Sequence, residues 1–136
     1  MEPRRATLAM NDDDARAFAG AWVDAWNRRD PDAILAHYAS DAVLTSPLAA
    51  RWFARDDGTV RGAAELREYL DVGFYHAPDL HLEVQHTLVG VEGVTVVYTR
   101  ENGAVVAEVM NLDAAGRIRF ARAFYHGLVL PEWPRD

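Results

Sequence analysis

Between residues 15 and 26 the apolar side chains Ala15, Phe18, Ala19, Trp22 and Trp26 recur three or four positions apart, the stripe of an amphipathic helix. Asp12 to Asp14 suit its positive N-terminal end, and Arg28 and Arg29 its C-terminal end. Asp30-Pro31 then reads as a second helix start, because Asp caps and Pro is tolerated at the first helical position. This short helix, about 31–40, presents Ile34, Leu35 and Tyr38. Residues 42–46 form a short β run stopped by Pro47. Residues 48–60 hold Trp52 and Phe53 among polar neighbours and end in Asp57-Gly58, which predicts a long loop with room for a short strand. A third helix covers about 63–74, with Leu66, Tyr69 and Leu70 on one face.

From Pro78 onward the period changes to two. Strands are predicted at about 80–90, 93–101, 104–112 and 117–127, separated by Gly90 to Gly93, Glu101-Asn102-Gly103 and Asp113 to Gly116. Four strands joined by short turns make an antiparallel meander. Helices first and a meander afterwards predict an α+β fold in which the helices cover one sheet face. In the last strand Ile118, Phe120 and Phe124 alternate with Arg119, Ala121, Ala123 and Tyr125, so both faces carry apolar residues. A second sheet from another copy is the simplest cover for the outer face, which predicts a homodimer joined through the meander.

The chain has 136 residues, half of them hydrophobic, enough for one core. We expect a disordered lead-in over 1–11, one domain over 12–127 and a tail over 128–136. A formal charge of -7, with the arginines scattered, argues against a nucleic-acid partner. With no cysteine there is no disulfide framework, thiolate metal site or cysteine nucleophile, which fits a reducing cytoplasm. The start MEPRRATLAMNDDD holds too few apolar residues for a signal-peptide core, and no segment approaches the length of a membrane span.

The stretch WVDAWNRRDPDAILAHYASDAVLTSP, Trp22 to Pro47, together with DAAGRIRFARAFYH near the end, resembles the SnoaL-like family. That family belongs to the nuclear-transport-factor-like superfamily, with ketosteroid isomerases, polyketide cyclases and limonene epoxide hydrolases. The resemblance covers roughly residues 12–127. It implies a conical half-barrel: three N-terminal helices on a strongly curved antiparallel sheet enclosing one pocket, commonly dimeric. Laid on this chain through ASDAVLTSP, the isomerase pattern puts the aspartate base at Ser46, the tyrosine donor at Trp22 and the neutral acid at Glu108. The epoxide hydrolase pattern requires an arginine where Val106 stands. The acid/base carboxyl of the polyketide cyclases has Glu108 or Glu83 as its nearest analogue, and Glu108 is preferred.

Glu108 sits between Val106 and Met110 on a face that otherwise reads as apolar. A carboxyl there is either protonated or paired with a cation. With a short hairpin at Asp113 to Gly116, Arg119 is expected diagonally across from it on the same face. The competing reading makes Glu108 an exposed strand residue, one position out of phase. Trp22 and Trp26, four apart, are pocket wall and core together; Tyr38, Trp52, Phe53 and Tyr69 are further wall or lid candidates. Ser46 and Met110 join the expected substrate-binding set, Tyr125 is a hydroxyl donor candidate and His86 a weaker pocket candidate. His37 and Asp41 are four apart at a helix end, but no third ligand is identifiable, so no metal is expected. No nucleotide loop, nucleophile elbow or flavin or nicotinamide fingerprint is present, and no cofactor is expected.

The leading expectation is a cofactor-free isomerase or cyclase-type enzyme that moves protons on a hydrophobic carbonyl compound. Glu108 would be the acid or base, Arg119 its partner, and Trp22 and Tyr125 positioning donors. A non-catalytic ligand-binding module using the same pocket is the alternative, because Ser46 stands at the base position. A dimeric interaction scaffold is the third reading, and it would leave the interior filled.

Overall fold

The computed structural model describes residues 10–126. Most of the expected lead-in and all of the expected tail lie outside the described residues. Helix α1 (Asp12–Asn27) starts where the Asn11 side chain accepts the Asp14 backbone N–H at 2.8 Å, with three aspartates in its first turn. Its apolar stripe is buried at Ala15, Ala19 and Trp22. Arg28 follows as the C-cap and pairs with Asp24 at 2.9 Å. Arg29, at φ 52°, turns the chain into Asp30, which caps α2 (Pro31–Leu35) through the Ala33 N–H at 3.2 Å.

Strand β1 (Tyr38–Thr45) begins where the sequence predicts the end of the second helix. The helix stops short because Tyr38 is taken up by the sheet, paired in parallel with Ile118. Residues 47–61 are not a plain loop. Ser46 caps a one-turn helix α3 (Pro47–Trp52), and a three-residue strand β2 (Thr59–Arg61) follows it. Gly58, at φ 62°, sits where a Cβ would lie 2.6 Å from the Ser46 carbonyl oxygen, so this return fits glycine alone. Helix α4 (Gly62–His76) buries Leu66, Tyr69 and Leu70, close to the predicted third helix.

The meander appears as predicted: β3 (Leu82–Val89), β4 (Gly93–Arg100), β5 (Val105–Leu112) and β6 (Ile118–His126). The curved, unclosed six-stranded sheet has the order β2-β1-β6-β5-β4-β3, and among the described strands only β1 and β6 pair in parallel. Gly93 is required where β4 meets β5, since a Cβ there would lie 1.7 Å from the Met110 carbonyl oxygen. Helices α1 and α4 pack on the inner face, α1 against β3 and α4 against β1.

Bulges in β3 and β6 decide which of their side chains face inward. Register slips past Gln85 in β3, and past Arg119 in β6, where Leu112 faces Ile118 and Asn111 faces Phe120. An extra residue in one strand flips the alternation beyond it. Ile118 is therefore fully buried in the core, whereas Phe120 is half-buried and Phe124 is 58% exposed on the outer face. The three do not form the single outward set that strict alternation predicts.

Candidate functional site

Strand β5 buries every second residue, Val106, Glu108 and Met110. This is the inward phase expected for Glu108, and its neighbours across the ladder are Val96 and Ala123. Between the helices and the sheet lies a small, partly open cavity. Trp26, Leu44, Leu48, Leu80, Leu82 and Ala123 form much of its apolar wall; Trp52, Tyr69 and Gly73 line it from the side of α3 and α4. Its polar groups are Glu108, Tyr98, Tyr125 and Arg100.

The Glu108 carboxyl is 4% exposed, and its Oε1 accepts the Tyr98 hydroxyl at 3.1 Å. Burial raises its pKa to about 7, against the opposing pull of the Tyr98 hydrogen bond. Burial and the neighbouring Glu108 push the Tyr98 phenol up in turn. Tyr38 is raised by burial and by Glu108, and its hydroxyl accepts the Trp22 indole N–H at 3.3 Å.

One row across the sheet runs Tyr98, Val106, Tyr125, because Val106 is the ladder partner of both tyrosines. Burial raises the Tyr125 phenol, and the positive charge of Arg100 draws it back. The Arg100 side chain is 3% exposed and pairs with Glu101 at 3.0 Å. On the α3 side the Tyr69 hydroxyl donates to Ser46 Oγ at 3.1 Å, and that oxygen also accepts the Leu48 N–H at 3.1 Å. Trp26 Nε1 lies buried in the wall with no hydrogen-bond partner among the described residues. A buried donor in that state is a place for an acceptor oxygen.

Of the residues expected at the site, Glu108, Trp26, Trp52, Tyr69 and Tyr125 line the cavity. Trp22, Tyr38, Ser46, Phe53 and Met110 do not. Trp22 is wholly buried between Trp26 and Tyr98, at 5.8 and 5.7 Å between ring centres, with its N–H committed to Tyr38. Tyr38 and Met110 belong to the core, Ser46 holds the α3 cap, and Phe53 packs behind Tyr69 at 6.3 Å.

Arg119 is not the partner of Glu108. It is the bulge residue of β6, exposed and four positions along the strand from Ala123, which faces Glu108. His86, just past the β3 bulge, is exposed, as is Glu83. Tyr98 and Arg100 escaped the sequence reading. The available signal was the inward alternation Val94, Val96, Tyr98, Arg100 along β4. No group of three or more His, Asp or Glu able to hold a metal forms among the described residues.

Helices laid over the hollow of a curved, unclosed sheet define the class of α+β fold to which the chain belongs. The SnoaL-like domain profile matches residues 19–125, and the chain belongs to that family. No curated protein matches it in sequence. A SnoaL-like protein of unknown function from Burkholderia thailandensis is 34% identical, with a TM-score of 0.82 over 86% of this chain and 98% of that one. The epoxide hydrolase/cyclase-like enzyme SalBIII of pyran ring formation in salinomycin shares the fold at 19% identity and a TM-score of 0.66, over 86% and 94% of the two chains. A putative polyketide cyclase from Sinorhizobium meliloti does so at 15% identity and a TM-score of 0.68, over 85% and 100%.

Proposed function

We propose that this chain is a cofactor-independent enzyme of isomerase or cyclase type that moves a proton on a hydrophobic carbonyl compound, with Glu108 as the group that takes and returns it. The observation that carries this reading is a buried carboxyl on the wall of an apolar cavity, with a pKa of about 7. Near neutrality both its forms are populated, the condition under which one group serves as base and then as acid. The carboxylate takes a proton from carbon alpha to the carbonyl, the electron pair moves onto the carbonyl oxygen, and the neutral acid delivers the proton to the same or a conjugated carbon. The apolar wall keeps water from competing. Relatives of similar fold bear cyclase and epoxide hydrolase/cyclase-like names, which fits ring-forming or proton-moving chemistry.

The test uses 2-tetralone, a hydrophobic ketone with exchangeable alpha protons, in deuterated buffer followed by proton NMR. The wild-type chain accelerates exchange above buffer, and Glu108→Gln lowers the rate by roughly 100-fold or more. Equal exchange by both proteins, or none by either, overturns the enzyme reading. Saturable binding without exchange supports the non-catalytic module, which the orphaned Trp26 N–H favours as an anchor for a ligand oxygen. We propose also that two copies join through the outer face of the sheet, where Phe124 and Leu88 are 58% and 55% exposed beside half-buried Val97, Ala107 and Val109.

A further inference from the structure

Proton transfer at Glu108 leaves open which of its two carboxyl oxygens meets the substrate, and from which side. On adjoining strands Val96 faces Glu108 and Val106 faces Tyr98, so Tyr98 and Glu108 are diagonal neighbours on the inner face of the sheet. The Tyr98 hydroxyl donates to Glu108 Oε1 at 3.1 Å, and both residues are buried. The phenol has little room to turn away. Trp22 lies against its ring at 5.7 Å, and Trp22 is itself held by its N–H on the Tyr38 hydroxyl at 3.3 Å and by the Trp26 ring at 5.8 Å. Oε1 is therefore committed to the wall, whereas Oε2 takes no donor among the described residues.

The two strands flanking Glu108 differ in what they leave open. Val96, its ladder partner on β4, is wholly buried. Ala123, its partner on β6, is half-buried, lines the cavity and carries no more than a methyl group. The approach to the carboxyl thus runs over Ala123, and that methyl sets the bulk allowed there. Other titratable or charged groups surround the carboxyl: Tyr125 from β6, Arg100 from β4 and Tyr69 from α4 line the same cavity, and Tyr38 from β1 is buried close enough to feel its charge. Helix α1 brings the indoles of Trp22 and Trp26. Among the described residues, Tyr98 alone is hydrogen-bonded to Glu108.

We infer that Tyr98 is a positioning residue for the proposed reaction: its hydroxyl holds Oε1, which leaves Oε2, beside Ala123, to take the proton from the substrate carbon. This role rests on the proton-transfer reading above. A hydrogen bond to a carboxylate favours the charged form. Tyr98 therefore also keeps base available near neutrality against the opposing effect of burial.

Tyr98→Phe keeps the ring on Trp22 and removes the hydroxyl. Carbon NMR of the full chain labelled at its glutamate carboxyls, with no ketone present, follows the titration of Glu108. In Tyr98→Phe its midpoint rises by roughly one pH unit or more, the scale of a hydrogen bond to a charged group. The pH midpoint of 2-tetralone exchange moves with it, and the plateau rate falls about tenfold at unchanged KM, the mark of lost orientation rather than lost binding. A fluorotyrosine at position 98, whose hydroxyl is the stronger donor, moves the midpoint down, and it decides the matter if Tyr98→Phe does not fold. Ala123→Val crowds the approach to Oε2 and lowers kcat/KM for tetralone by about tenfold. An unmoved Glu108 midpoint in Tyr98→Phe, or unimpaired exchange in Ala123→Val, overturns the inference. The two readings fail separately: a wild type without exchange sinks the enzyme reading whatever the titration gives, and an unmoved midpoint beside normal exchange sinks the role of Tyr98 alone.

Discussion

Glu108 ties the site to the stability of the fold. Between the ordinary glutamate value near 4.5 and about 7, the folded chain holds a proton that the unfolded chain has released. Stability therefore falls as pH rises through that window and levels off above it, by on the order of 3 kcal/mol in all. In Glu108→Gln this contribution disappears, so urea midpoints for the variant equal or exceed wild type at pH 8 and lose their slope between pH 5 and 7. A wild-type midpoint that rises through that window contradicts a raised carboxyl. The inward phase of Glu108 was legible, because Val106 and Met110 on either side fix the strand face by their own burial. Its partner was not. Arg119 looks correctly placed only if β6 alternates without interruption, and the bulge at Arg119 itself removes it from the inner face. Tyr98 donates instead, from a strand whose valines read as core and drew attention from the two polar residues at its end.

At the level of elements, the end of α1 is stitched to an edge strand by one side chain. The Asn27 amide donates to the Leu82 carbonyl at 2.9 Å and accepts the Leu82 N–H at 2.8 Å, standing in for a neighbouring strand. Arg29 adds a hydrogen bond to the Leu80 carbonyl at 3.1 Å. Both leucines line the cavity, so these contacts hold one wall of its mouth. Replacing Asn27 by Leu leaves both backbone groups of Leu82 without their side-chain partners. Thermal unfolding should show a loss of about 1 to 3 kcal/mol and faster amide exchange at Leu82. An unchanged melting temperature would show that the strand end is held by other contacts. The four strands of the meander were legible because period-two runs between glycine-bearing turns leave little choice. Helix α3 was not, since six residues carry no periodicity and its start rests on the Ser46 cap and Pro47, which read equally well as the end of a strand.

For the whole molecule, the proposed pairing of two copies is tested on its most exposed ring. Phe124→Glu places a charge in the middle of the outer face and should halve the mass seen by light scattering, with the melting temperature and Glu108-dependent exchange reporting whether the fold survives. An unchanged mass, or a wild type already monomeric, removes that face as the interface. Among the described residues the same sheet has two edge strands, β2 and β3. An open edge offers unpaired backbone groups to any passing strand. Here β2 is only three residues long, and β3 breaks its own ladder at Gln85 between exposed Glu83 and His86, with the Asn27 amide already bound at its start. The bulge that misleads a reading by alternation therefore has a second consequence: it denies an eight-residue strand the straight, uncharged rim along which chains stack edge to edge into fibrils.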